Sequence, residues 1–410
     1  MSESIKHKSQ IRILESHICG IMIICSFFGD LYKVLGISVY CFPMLLCILL
    51  LLIDNSFRIP VPKGIRLDKI ETFSFALILF ATITLPFSMI KVGSLPYFKI
   101  LVNSLMMLVV ASNITDEESF ERILTYIFIG IIITVFISEY EIRTGHHFYA
   151  KALLDDRLGR MGRGNAFGFQ VNVNDNASLV SLSVFIPVML LRKKSRMIKL
   201  IATGLVIVLI SLTITINARL PQLTLAIVVI EAFFLMLVSR FAKGTVHKYI
   251  AVLIFVLAFA LFFVSFSATS FLNIVSTSQN YQYDYGRILF MQSSLRSITP
   301  ISFIFGHGSG VTLNIIGYSV HSVVVEILCD YGIFVLISFL FIIFRLLLSY
   351  TDKINYFLSV FLPCFATAFL MISFCSSSML RIYPVWLFLV IIWKMYMFGL
   401  AEGTINGERL

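Results

Sequence analysis

His321, Glu326 and Asp330 stand close together in "GHGSGVTLNIIGYSVHSVVVEILCDYG" (306–332), at the start of an apolar run. On a helix Glu326 and Asp330, four residues apart, share a face. At 1.5 Å per residue, Glu326 would lie about 7.5 Å and Asp330 about 13.5 Å along the axis from His321. An acid at such a depth in a membrane is costly and is expected to face the bundle interior with a partner. A histidine above such acids can be oriented or charged as a proton acceptor, although an interface histidine without a chemical role is also common. Spacing alone assigns Asp330 no role. The cluster "GHGSG" (306–310) lacks the Gly-Lys-Ser/Thr ending of a P-loop, so a flexible turn is expected there.

Arginines form the second set. "RLGRMGRG" (157–164) carries Arg160 and Arg163, "YDYGRILFMQSSLRSI" (283–298) carries Arg287 and Arg296, and Arg219 is the sole charge in the short turn "TINARLPQL" (215–223). A guanidinium grips two phosphate oxygens in a fork where lysine offers a point charge, so these positions suit an anionic phosphate group. Loop solubility and headgroup contact are the plainer alternative, and for Arg219 the plainer one is snorkelling at the membrane surface.

The elements that must position these residues are membrane helices. Hydrophobic residues make up 59% of the 410 residues and charged residues 13%, with a mean hydropathy of +0.95. A soluble domain carries roughly 25% charged residues. Runs near the length that crosses about 30 Å of hydrocarbon recur along the chain. The expected fold class is therefore all-α, a polytopic integral membrane protein forming one membrane domain over 1–410. About twelve transmembrane helices are expected, near 13–29, 34–53, 71–89, 97–112, 122–139, 176–192, 198–216, 221–239, 248–267, 322–348, 354–374 and 383–400.

Basic clusters at Lys6, Lys8 and Arg12, at Arg58 to Lys69, at "RKKSRMIK" (192–199) and at "RFAKGTVHK" (240–248) fall on one side under that count. That side is cytoplasmic by the positive-inside rule, which places both termini there. The arginine-rich loops at 140–175 and 268–321 are then external. Loops so long in a compact bundle tend to be functional, and the second has enough apolar residues for a surface helix. The seven cysteines (19, 25, 41, 47, 329, 364 and 375) lie mostly in apolar runs and read as buried small hydrophobes. "HH" (146–147) and "DD" (155–156) are adjacent like residues that point apart, so no metal site is expected.

In their order and loop placement these motifs resemble the O-antigen polymerase and O-antigen ligase superfamily of bacterial envelope enzymes. The family pattern runs from a Gly-Arg through a helix, a proline and a G-x-G turn to a histidine, with acids five and nine residues on and a glycine eleven on. It is matched by Gly286-Arg287, Pro300, Gly306-His307-Gly308, His321, Glu326, Asp330 and Gly332. Asn172, Asn174 and Asp175 match the family's asparagine-rich lead into a mid-chain span, and Arg219 matches the arginine of a family "S-R-G" turn. Ser322 stands where asparagine is usual, and "ARLP" replaces "S-R-G". The likeness covers roughly 160–335.

The resemblance implies a GT-C-like, metal-independent glycosyltransferase without cofactor, in the bacterial inner membrane with its active site facing the periplasm. Its donor would be an oligosaccharide on undecaprenyl pyrophosphate. Its other partners would be membrane lipids and a chain-length regulator protein, with no nucleic acid. Arg219 and Arg287, helped by Arg160, Arg163 or Arg296, would hold the pyrophosphate. His321 would act as base or orienting group, with Glu326 holding it or contacting sugar hydroxyls. Asn172, Asn174 and Asp175 would bind substrate, and the transfer would invert the anomeric carbon. Polymerase, adding the chain to another lipid-linked repeat, is the favoured activity. A ligase acting on lipid A-core and a lipid-linked glycan flippase are the alternatives.

Overall fold

The computed structural model describes residues 3–29, 33–34, 37–54, 68–148, 166–170, 173–193, 195–216, 218–241, 246, 249–262, 281–317, 320–349, 356–374 and 378–407. Among them the chain is helical, save for a two-residue antiparallel ladder pairing Lys33–Val34 with Ile37–Ser38. Among the described residues five helices are long and apolar enough to cross a membrane: Leu95–Asn113, Glu117–Thr144, Val173–Leu190, Arg196–Thr215 and Arg219–Val238. A sixth candidate is the pair Lys69–Ile83 and Leu85–Lys91, bent by 57°. Shorter apolar helices are Cys41–Ile53, Tyr249–Phe262, Ile333–Leu347, Tyr356–Ile372 and Tyr383–Gly399.

The outward faces of these helices are apolar too. Ile90 is 81% exposed, Phe136 70% and Leu200 69%, and only 22% of the apolar window of Arg196–Thr215 is buried. In water such faces would be an aggregation hazard, whereas hydrocarbon solvates them. They are in keeping with a membrane-embedded protein.

The chain divides into two compact units. The first comprises Met1–Ser74, Val102–Asn217 and Ile382–Lys394. Its helix Glu117–Thr144 starts at a capping box, where the Asp116 carboxylate accepts from Ser119 N at 2.8 Å and Ser119 Oγ accepts from Asp116 N at 3.1 Å. The helix ends at Gly145 in the left-handed conformation. It packs closely on Glu3–Phe27 because each helix supplies a glycine opposite the other's aromatic ring. A Cβ on Gly20 would lie 2.1 Å from the Tyr126 ring, and one on Gly130 would lie 2.3 Å from Phe27. Deeper in this unit Phe73 stacks on Trp386 at 5.6 Å. Asp68 accepts from the Trp393 indole and pairs with Lys394 Nζ at 3.1 Å.

The second unit comprises Phe75–Leu101, Ala218–Arg381 and Met395–Leu410. Helix Arg219–Phe241 lies along Tyr356–Ile372, where Thr367 Oγ1 donates to the buried Glu231 at 2.8 Å and Tyr356 Oη donates to Met236 O at 3.0 Å. The stretch expected as one span over 322–348 is two helices, Val323–Tyr331 and Ile333–Leu347, meeting at Gly332. The second long loop contains the helix Tyr281–Arg296 and the short helices Pro300–Phe305 and Val311–Ile316.

Candidate functional site

The acids that follow His321 share the helix Val323–Tyr331, which Ser322 caps, its hydroxyl accepting from Val325 N at 3.5 Å. Asp330 is buried and has a definite role. Its Oδ2 accepts from Gly310 N at 2.8 Å, while Oδ1 accepts from Thr312 N at 3.2 Å and from the Thr312 hydroxyl. Backbone bonds extend the clamp. His307 N donates to Cys329 O at 2.7 Å and Gly308 N donates to Asp330 O at 3.0 Å. The "GHGSG" turn is therefore not the flexible turn expected from the sequence. It is bound along its length to the acid-bearing helix, because a buried carboxylate is an acceptor strong enough to collect several amides at once.

Two glycines make that approach feasible. At Gly306, φ is +82° and a Cβ would sit 2.2 Å from Asp330 O. At Gly332, φ is +81° and a Cβ would sit 2.1 Å from Ile304 O. Neither position admits a side chain.

The bent pair holds the turn from a second direction. Its first helix ends at Ile83, and Leu85 and Pro86 open the second. Ser88 Oγ donates to Ser309 O at 3.0 Å and Asn314 Nδ2 donates to Lys91 O at 2.9 Å. The carbonyl at a helix C-terminus lacks an intrahelical donor, so Asn314 supplies one.

His307 sits within this clamp, with Nε2 3.4 Å from Ser297 Oγ. Burial lowers its pKa below the ordinary 6.5. The unfolded chain then binds the proton more readily than the native one. The stability that neutral His307 contributes is complete above the unfolded value and is lost as pH falls through the lower native value. Hydrogen exchange over 306–317 should therefore quicken from about pH 7.5 to about pH 5.5, after correction for intrinsic rates, more in the wild type than in His307→Gln. Equal acid responses in the two proteins would rule this out.

Glu326, one turn before Asp330, accepts from Ser378 Oγ at 2.6 Å. Glu326, Asp330, Ser378 and Arg381 line one small cleft with Gly310, Thr312, Leu313 and Val320. Spacing brought Glu326 and Asp330 together correctly. It did not find Ser378 and Arg381, which lie some fifty residues downstream. The signals available were the run "SSSMLR" (376–381) between two apolar stretches and the place of Arg381 among the arginines on the expected external side. His321 has φ +53°, the only positive φ of a non-glycine residue described. That conformation is uncommon for a side-chain-bearing residue and concentrates at functional sites.

The arginines are placed less completely. Arg219 is exposed at the first turn of Arg219–Phe241, and Arg296 is exposed at the end of Tyr281–Arg296. Arg287 belongs to that same helix. Arg160, Arg163 and Asn172 lie outside the described residues.

Asn174 and Asp175 belong to the first unit, in the opening turn of Val173–Ser183, with Asp175 buried. Beside them in the chain, Asn176 donates to Ser138 Oγ at 3.0 Å and to Ala166 O at 3.1 Å. The same unit holds an anchor that the sequence did not single out. Glu141 is fully buried, and its carboxylate accepts from Phe148 N at 3.0 Å and from Phe167 N and Gly168 N at 2.7 Å each. His147 Nδ1 lies 3.6 Å away. One carboxylate thus ties residues from both ends of the first long loop.

No family model, curated protein or solved structure matches the chain.

Proposed function

We propose that the chain is an O-antigen polymerase, a twelve-span GT-C-like glycosyltransferase of the bacterial inner membrane with both termini in the cytoplasm. It transfers a growing glycan from undecaprenyl pyrophosphate to a lipid-linked repeat at the periplasmic face. The observation that carries this reading is the clamp of Asp330 on "GHGSG". It gives the ordered motif a physical purpose, holding a polar turn against the helix of Glu326 at the point where His321 leads into it.

The acceptor hydroxyl attacks the anomeric carbon as the bond from that carbon to the pyrophosphate oxygen breaks. His321 takes or orients the hydroxyl proton, and Glu326 supports it or holds sugar hydroxyls. Negative charge grows on the departing pyrophosphate, and Arg219 and Arg287 stabilise it, with Arg160, Arg163 and Arg296 as helpers. The exposure of Arg219 at a helix N-terminus supports this, because the helix dipole adds to its positive potential. Asn172, Asn174 and Asp175 serve substrate binding.

Deleting the gene and viewing lipopolysaccharide on a gel tests the activity. Core bearing a single repeat is the expected product. Bare core with long lipid-linked chains outside the cell would identify a ligase, and repeats trapped at the cytoplasmic face a flippase. In the complemented strain His321→Ala and Arg287→Ala, expressed at wild-type level, should give short chains. Full-length chains from either variant would remove that residue from the mechanism.

A further inference from the structure

Leu85–Lys91, Pro300–Phe305 and Val311–Ile316, all in the second unit, are inside out for helices that meet water. A helix on the surface of a soluble domain buries its apolar stripe and exposes its polar residues. Here the hydroxyl residues Ser88, Ser302 and Thr312 are buried, and Val311 is the only apolar residue buried with them. Phe87 and Ile90 are exposed on the first helix, Ile301, Phe303 and Phe305 on the second, and Ile315 on the third. Ile301 is 74% exposed.

Length removes the usual reason for an apolar exterior. The helices have seven, six and six residues, so each is roughly 9 to 11 Å long at 1.5 Å per residue. The hydrocarbon core is about 30 Å thick, and none of the three spans it alone. Leu85–Lys91 follows Lys69–Ile83 only after a bend of 57°. Polar contacts join the pieces on their inner side: Ser88 donates to Ser309 O, Asn314 to Lys91 O, and Thr312 N to Asp330. On the outer side the apolar surface continues into a candidate span. A Cβ on Gly310 would lie 2.9 Å from Pro96, whose neighbours Leu95 and Phe98 are exposed at the start of Leu95–Asn113. Cations and a tyrosine stand nearby. Lys91 is exposed at the end of the first helix, Arg296 is exposed just ahead of the second, and Tyr97 Oη lies 3.1 Å from Thr82 Oγ1. Side chains with an apolar stem and a polar tip suit the headgroup level of a bilayer.

We infer that the three short helices form a wedge seated in one bilayer leaflet, on the side of the second long loop. Phospholipid acyl chains cover Ile90, Ile301, Phe305 and Ile315, as they cover the outward faces of the spans. The clamped "GHGSG" turn is thereby held close to the depth of the lipid headgroups. Nothing in this depends on the transferase reading.

The test uses the full chain in nanodiscs of phosphatidylethanolamine and phosphatidylglycerol. Ile301→Cys and Ile315→Cys each receive a polarity-sensitive fluorophore, and labelled wild type supplies the background from the native cysteines. Glu118→Cys serves as the aqueous reference, since that side chain is 82% exposed. Both helix positions are exposed, so cysteine leaves the packing beneath them intact. The two helix labels should emit to the blue of the reference and resist quenching by iodide. They should lose intensity to lipid carrying a nitroxide near the headgroup end of its acyl chain. Emission and iodide quenching equal to the reference, at either helix position, would overturn the wedge. Stronger quenching by a nitroxide at the far end of the chain would put the helices at the bilayer centre and overturn it as well. A label that neither quencher reaches would lie inside protein, with the same consequence.

Discussion

Replacing Asp330 by alanine is expected to lower the melting temperature of the purified protein sharply and to expose the 306–317 segment to protease. Three donors would lose their acceptor together: Gly310 N, Thr312 N and the Thr312 hydroxyl. Each buried amide left without a partner costs roughly 1–3 kcal/mol, and bonds to a charged acceptor stand at the upper end. Water entering the cavity would recover part of the loss. Asparagine should fall between the two, because its single amide oxygen can face Gly310 N or Thr312 N but not both. On the proposed polymerase activity, glycan chain length should shorten in parallel, since the cleft beside Glu326 is built against this turn. Wild-type melting and proteolysis in Asp330→Ala would show that the turn is held by its backbone contacts alone.

Glu141→Leu should produce a loss of similar size in the first unit. The side chain is fully buried, and three amides converge on it from two segments, Phe148 on one side and Phe167 with Gly168 on the other. Leucine fills the volume and removes every acceptor, so the result isolates the hydrogen bonds from the packing. Glu141→Gln can keep the two shortest bonds with its oxygen facing Phe167 N and Gly168 N, and should retain most of the stability. Hydrogen exchange at residues 148 and 167–168 reads the effect directly. Unchanged protection there in Glu141→Leu would show that the carboxylate does not hold the segments.

The two anchors show how far sequence patterns reach. Apolar periodicity and length marked stretches that contain helix, because a backbone in hydrocarbon must bond internally. Among the described residues five of these helices, or six with the bent pair, are long and apolar enough to cross a membrane, against the twelve expected. Spacing also placed Glu326 and Asp330 on one cleft, since contacts within a helix follow from its pitch. The bend between Ile83 and Leu85 is where that argument stops. A proline late in an apolar run, as Pro86 is in 71–89, marks a site where a helix can bend, but the partners that accept the bend lie elsewhere in the chain. Here they are Ser309 and Asn314, more than 220 residues away.

Asp330 states the division most clearly. From sequence it was an acid at an unfavourable depth, requiring some partner, and "GHGSG" was a turn of unstated purpose. The amino-acid order thus determined the all-helical class, the placement of the apolar segments and the short-range pairing of Glu326 with Asp330. Tertiary structure alone decided that Asp330 binds the turn eighteen to twenty residues before it. It alone decided that Glu141 ties Phe148 to Gly168, and that Ser378 and Arg381 complete the cleft. The reason is the range of the interactions. Helix periodicity is a local property of the chain, whereas a buried carboxylate takes whichever donors the folded backbone brings to it, and those donors carry no pattern of their own in the sequence.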